Sequence, residues 1–98
     1  MINMMLGKVI GNVVSVIKDE NYNGLKLMVV AELDMDGNFT HNFVVSADLI
    51  GVGIDETVMV ANGTPARATD QTKNMGLDSI IVAKIEKLIF GDKEVNLE

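Results

Sequence analysis

The sequence predicts a mainly β fold, a small closed or partly closed barrel that occupies residues 1–98 as a single domain. Three observations predict it. The apolar residues are aliphatic, many of them Val and Ile, and fall into short runs, a composition suited to pleated, half-buried strands. Glycines and polar turns punctuate those runs, as in small all-β domains. A chain of 98 residues leaves room for one domain.

Leu6 to Ile17 reads as the first strand. Gly7 and Gly11 within it mark a bulge or a tight bend of the kind found at barrel corners. Lys18 to Gly24 (KDENYNG) is a polar turn. Leu25 to Leu33 is the second strand, with Leu25, Leu27 and Val29 alternating against Lys26, Met28 and Val30. Asp36-Gly37 then gives a tight hairpin signal. Asn42 to Val45 is a short third strand and Thr57 to Ala61 a fourth. Between them, Ser46 to Glu56 reads as a loop holding Gly51 and Gly53. Asn62 to Gly76 is a polar loop with the only proline, Pro65.

Asp78 to Phe90 (DSIIVAKIEKLIF) supports two readings. Ile80, Ile81, Lys84, Ile85, Leu88 and Ile89 make a helical stripe, with Asp78 placed to cap it and Gly91 to end it. The β-branched Ile80-Ile81-Val82 favours a strand, and periodicity alone leaves both open. The terminal Leu97-Glu98 is given no weight.

Charge and composition exclude several classes of function. Eight Lys plus Arg against fourteen Asp plus Glu give a net charge of −6, whereas phosphate neutralisation needs a surplus of cations. The aromatic residues are only Tyr22, Phe39, Phe43 and Phe90. A ligand-binding or nucleic-acid-binding module is the alternative that a small barrel permits, but such modules stack bases on aromatics along a basic groove. Cysteine is absent, which removes disulfides, thiolate zinc sites and a cysteine nucleophile. The apolar start, Met1 to Leu6, has no basic segment before it and no cleavage signal after it. No run reaches the roughly 18 apolar residues of a membrane-spanning helix. A soluble intracellular protein is expected. Because so short a chain buries only part of its surface alone, a hydrophobic content of 48% points to burial against neighbouring copies.

The candidate chemical motifs have simpler explanations. His41, the only histidine, has no acid at a recognisable spacing and reads as a polar strand residue. Asp34-Met35-Asp36-Gly37-Asn38 lacks the sixth-position glycine and twelfth-position glutamate of a calcium loop, and a hairpin turn accounts for it. Gly51-Val52-Gly53-Ile54-Asp55-Glu56 opens like a dinucleotide fingerprint but has Glu56 in place of the third glycine; close backbone approach explains its glycines better. The pairs Asp19-Glu20 and Asp55-Glu56 read as solvent-facing. The seven methionines read as flexible core fillers, with a subunit contact as the other place that suits them. Arg67 is either solvated or locked onto a carboxylate or carbonyl across a subunit contact.

The order of motifs resembles the bacterial microcompartment vertex proteins, the EutN/CcmL family, from about Met5 to Leu88. Leu6-Gly7-Lys8-Val9-Ile10-Gly11-Asn12-Val13-Val14 is similar to the family's opening strand. Lys18-Asp19 with Gly24-Leu25-Lys26-Leu27-Met28-Val29-Val30 is similar to its second element. Ala47-Asp48-Leu49-Ile50-Gly51-Val52-Gly53 resembles its glycine loop. Glu56-Thr57-Val58-Met59-Val60 followed by Gly63-Thr64-Pro65-Ala66-Arg67 resembles its arginine motif, and Asp78-Ser79-Ile80-Ile81-Val82-Ala83-Lys84-Ile85 its closing strand. Asp55 stands where the family's last loop glycine would be, which is expected to restrict positive φ there.

The resemblance implies an OB-like barrel of five strands, with the closing segment a strand to Leu88 and a short helix nearby. It implies a cyclic homopentamer that closes the corners of a bacterial microcompartment shell in the cytoplasm and docks to hexameric shell proteins. Catalysis, cofactor, metal, nucleic acid and membrane have no part in it. On this basis Asp48, Gly51, Gly53 and Ile54, and Gly63, Thr64 and Arg67, are the residues expected at subunit contacts or the axial opening.

Overall fold

The computed structural model describes residues 3–14, 26–63 and 79–97. Among them are seven strands: β1 (Asn3–Asn12), β2 (Lys26–Leu33), β3 (Phe39–Asp48), β4 (Thr57–Asn62), β5 (Ser79–Lys84), β6 (Lys87–Phe90) and β7 (Lys93–Asn96). The first five close into a barrel in the order β1-β2-β3-β5-β4, and β6 and β7 form a separate hairpin. Neighbours in the barrel are antiparallel, except β3 and β5, which run parallel with Ala47 opposite Ile80.

The pleat sorts side chains to two faces. Val9, Val30, Val58 and Val60 point inward with no exposed surface, and Met28, Val52 and Ile81 complete that core. Each fully buried aliphatic side chain contributes about 1.5–3 kcal/mol. Leu27, Ala47, Ile80 and Ala61 are cross-strand partners on the opposite face, where they form a second apolar cluster.

Both glycines of the first strand have a use. At Gly7 a Cβ would collide with Val30 Cγ1 and lie 2.9 Å from the Ala31 carbonyl oxygen, so the close crossing of β1 over β2 needs a residue without one. Gly11 follows a register shift after Val9, the bulge that tightens a barrel strand. In the β2–β3 turn, Asp34 Oδ1 accepts the amides of Asp36 (2.9 Å) and Asn38 (3.0 Å). The calcium-like residues thus spend this carboxylate oxygen on their own hairpin.

The elements differ from expectation in four places. The first strand begins at Asn3 rather than Leu6 because Asn3 and Met4 find partners in Asn62 and Ala61 of β4; it ends at Asn12, short of the expected Val13 and Val14, and residues 15–17 lie outside the described residues. The third strand is much longer than Asn42 to Val45. Its polar ends looked like loop, but Glu32 Oε1 accepts hydrogen bonds from the Thr40 hydroxyl (2.6 Å) and the Asn42 side-chain amide (3.0 Å). At the other end Ser46 is buried with its hydroxyl 2.6 Å from that of Ser79. The closing segment is a strand only to Lys84. There Ile85 donates its amide to the Thr57 carbonyl at 2.8 Å, and the chain turns into the β6–β7 hairpin.

Leu97 corrects the last expectation. It is buried, its amide donates to the Glu86 carbonyl at 2.8 Å, and its carbonyl accepts the Thr57 hydroxyl at 2.8 Å. An ion pair between Lys93 and Asp36 ties the hairpin to the β2–β3 turn. The Lys93 ammonium also lies over the Phe90 ring, 5.4 Å from its centre.

Candidate functional site

The glycine loop between β3 and β4 is the most heavily braced connection among the described residues. Asp48 ends β3 with its side chain fully buried. One carboxylate oxygen accepts the amides of Ile50 (3.0 Å) and Gly51 (2.9 Å) and the other that of Val52 (2.9 Å). Lys26 Nζ approaches to 3.8 Å. Burial pushes the Asp48 carboxyl up, but the amides of Val52, Ile50 and Gly51, with Lys26, outweigh it and hold the group below the ordinary aspartate value.

A second carboxylate braces the far side. Glu56 accepts the Gly53 amide at 2.6 Å and pairs with Lys84 at 3.2 Å. The Gly53 amide, then Lys84, hold its carboxyl below the usual range. The backbone completes the attachment: Asp55 donates to the Val9 carbonyl (2.7 Å), and Val9 donates to that of Glu56 (2.9 Å).

These bonds decide what the loop does chemically. The amides of Ile50, Gly51, Val52 and Gly53 are all taken by the chain's own carboxylates, so they form no cradle for a phosphate. The loop instead displays apolar side chains. Val52 is buried in the core, while Ile50 is 46% and Ile54 51% exposed. Gly51 has φ +82°, a conformation that favours glycine. Asp55 adopts φ +73°, so the expected restriction there does not hold; aspartate visits this region more readily than most residues. Glu56 is half-buried and bonded rather than simply solvent-facing.

The structure brings Asp48, Gly51, Gly53 and Ile54 into this one loop. Gly63, with φ +99°, follows the other end of β4, roughly 17–20 Å away along a strand of this length. Thr64 and Arg67 lie outside the described residues, as do Asp19 and Glu20. His41 is exposed on β3 with φ +75°. Among the described residues, no group of three or more potential metal ligands is gathered. The bracing roles of Asp48 and Glu56 were not foreseen. Their spacing around the glycines, Asp48 three positions before Gly51 and Glu56 three after Gly53, was the available signal.

Comparison with known proteins supplies the biological context. The family described as ethanolamine utilisation protein EutN/carboxysome matches residues 4–86. The carboxysome shell vertex protein CcmL of Synechocystis sp. is 39% identical over 83 residues, which are 85% of this chain and 83% of that protein. The solved structure of CcmL from Nostoc sp. PCC 7120 superposes with a TM-score of 0.87 at 32% identity, covering 96% of this chain and 99% of that one. The pentameric microcompartment shell protein GrpN from Rhodospirillum rubrum superposes with a TM-score of 0.77 at 34% identity, covering 90% and 99%.

Proposed function

This chain belongs to the EutN/CcmL family, and from that premise we propose that it is a structural protein, the pentameric vertex of a bacterial microcompartment shell in the cytoplasm. The observation that carries the reading is the likeness, over nearly the full chain, to shell vertex proteins, with a pentamer among the solved relatives. The surface agrees with it. Among the described residues eleven large hydrophobic side chains, Met4, Phe43, Ile50 and Ile54 among them, are exposed on the single chain, which suits a protein that meets neighbouring copies.

The mechanism is geometric. A flat net of hexagonal tiles cannot close without five-fold defects, and a head-to-tail contact whose rotation closes makes a ring that fills one. Hexameric shell proteins are therefore the partners at the outer edge of the ring. No bond is made or broken. Asp48 and Glu56 hold the glycine loop in one shape, and Ile50 and Ile54 on it are the side chains offered to a neighbour. The Gly63 end, leading to Thr64 and Arg67, is the second candidate contact or axial element. A ring of five would carry 5 × −6 = −30 formal charges, which favours solubility before docking.

Co-expression with hexameric shell proteins tests this. With the chain present, electron microscopy is expected to show closed particles; without it, open sheets or tubes. Equal closure in both preparations would remove the vertex role.

A further inference from the structure

We propose that adjacent copies join head to tail by seating the outward face of β3, anchored by Phe43, in a methionine-lined groove beside β1 of the next copy. The inference rests on the vertex reading and adds the two surfaces that meet.

A closed ring of identical chains uses two different surfaces on each copy. Besides the Ile50 and Ile54 loop, the described residues include two apolar surfaces of opposite shape. One is raised: Phe43 is 63% and Val45 46% exposed, two residues apart and so on one face of β3. Phe43 stands opposite Ala31, a residue too small to cover its ring. The other is recessed, a groove of about 460 Å³ lined by Met4, Leu6, Met59 and Leu88, with Glu32 and Thr40 among its polar lining. Unbranched methionines shape themselves to an inserted side chain, and their sulfur favours contact with an aromatic ring. The polar side chains supply the rim that surrounds an apolar contact.

The groove opens beside Thr40, near the start of β3, and Phe43 and Val45 stand further along that strand. Two other grooves, one lined by Asp55, Glu56 and Lys84 and one by Lys8 and Asp36, have fewer apolar side chains in their lining than this one, whose acids are Glu32 and Asp34. The occupant of the groove is a second copy of this chain, because a relative sharing the fold at 34% identity is pentameric and this chain carries both a raised and a recessed half.

Cross-linking tests the assignment cleanly, since the chain has no cysteine. The double variant Phe43→Cys, Met4→Cys, treated with a short bismaleimide, is expected to give a covalent ladder up to five chains on a denaturing gel. Each single variant is expected to stay monomeric there. Light scattering on the same samples separates the outcomes. A pentameric mass without a ladder overturns the assignment of surfaces and leaves the vertex reading standing; a monomeric mass overturns both. Covalent dimers from Phe43→Cys alone reveal a symmetric contact and also overturn it. Phe43→Glu is expected to abolish the pentamer with its far-ultraviolet circular dichroism unchanged, and a retained pentamer contradicts the proposal.

Discussion

The Val52 amide donates to the Asp48 carboxylate at 2.9 Å, so the loop that shows Ile50 and Ile54 to solvent is fastened to the core at the residue between them. Asp48→Asn puts an amide group where one of the accepting oxygens stood. It is expected to lower stability by about 2–3 kcal/mol, the range for hydrogen bonds to a charged group and for buried donors left without an acceptor. Urea unfolding of the variant against the parent chain measures the loss. An unchanged midpoint would show that the loop holds its shape without the carboxylate.

Acid should act through the same bonds. The carboxyls of Asp48 and Glu56 are both held below their ordinary values in the folded chain. Such groups contribute stability that is present above the unfolded carboxyl range, about pH 4, and lost as pH falls through the lower folded values. Stability is expected to be level between about pH 7 and pH 5 in these groups' contribution and to fall below about pH 4. Asp48→Asn is expected to make that fall shallower. A variant with the same acid profile as the parent would remove Asp48 from this role.

The hairpin depends on Leu97. Thr57→Val removes the hydroxyl that donates to the Leu97 carbonyl and is expected to cost about 1 kcal/mol. Leu97→Ala empties a buried position and is expected to cost about 2 kcal/mol or more. In both, hydrogen exchange is expected to quicken at β6 and β7 before β1 to β5, because local openings follow cooperative units. Uniform quickening would mean that the hairpin and barrel open together.

Ile54→Glu tests the loop as a contact. Ile54 is exposed on the single chain, so the substitution leaves the fold intact and buries a charge only if a neighbour covers it. Circular dichroism is expected to stay unchanged while sedimentation shows dissociation of the ring. An intact ring would place Ile54 outside the contact.

Much of the barrel was legible because its strands announce themselves locally. The β2 and Thr57–Ala61 runs are aliphatic enough to read as strands, and the Asp36-Gly37 turn sits between strands as expected, but the core-facing side of β2 is Met28 and Val30 while Leu27 packs in the second cluster. The ends of β3 were not legible, because Thr40, Ser46 and Asp48 are polar and look like loop until their partners Glu32, Ser79 and the loop amides are known. The break at Lys84 was hidden for a similar reason: the segment from Ser79 to Phe90 carries no mark of the Thr57 carbonyl that ends the strand by accepting the Ile85 amide. At the candidate site, the glycines and Asp48 could be picked out by motif order, but their mechanics could not. Which amide a carboxylate takes is settled by three-dimensional proximity, so neither the acidic pair nor the motif in which Glu56 stands pointed to its bond with the Gly53 amide.

The mass of the purified chain in solution tests the architectural role most directly. Native mass spectrometry or light scattering at micromolar concentration is expected to report five times the 10.6 kDa chain mass, with no smaller species in quantity. A stable monomer at that concentration would contradict it.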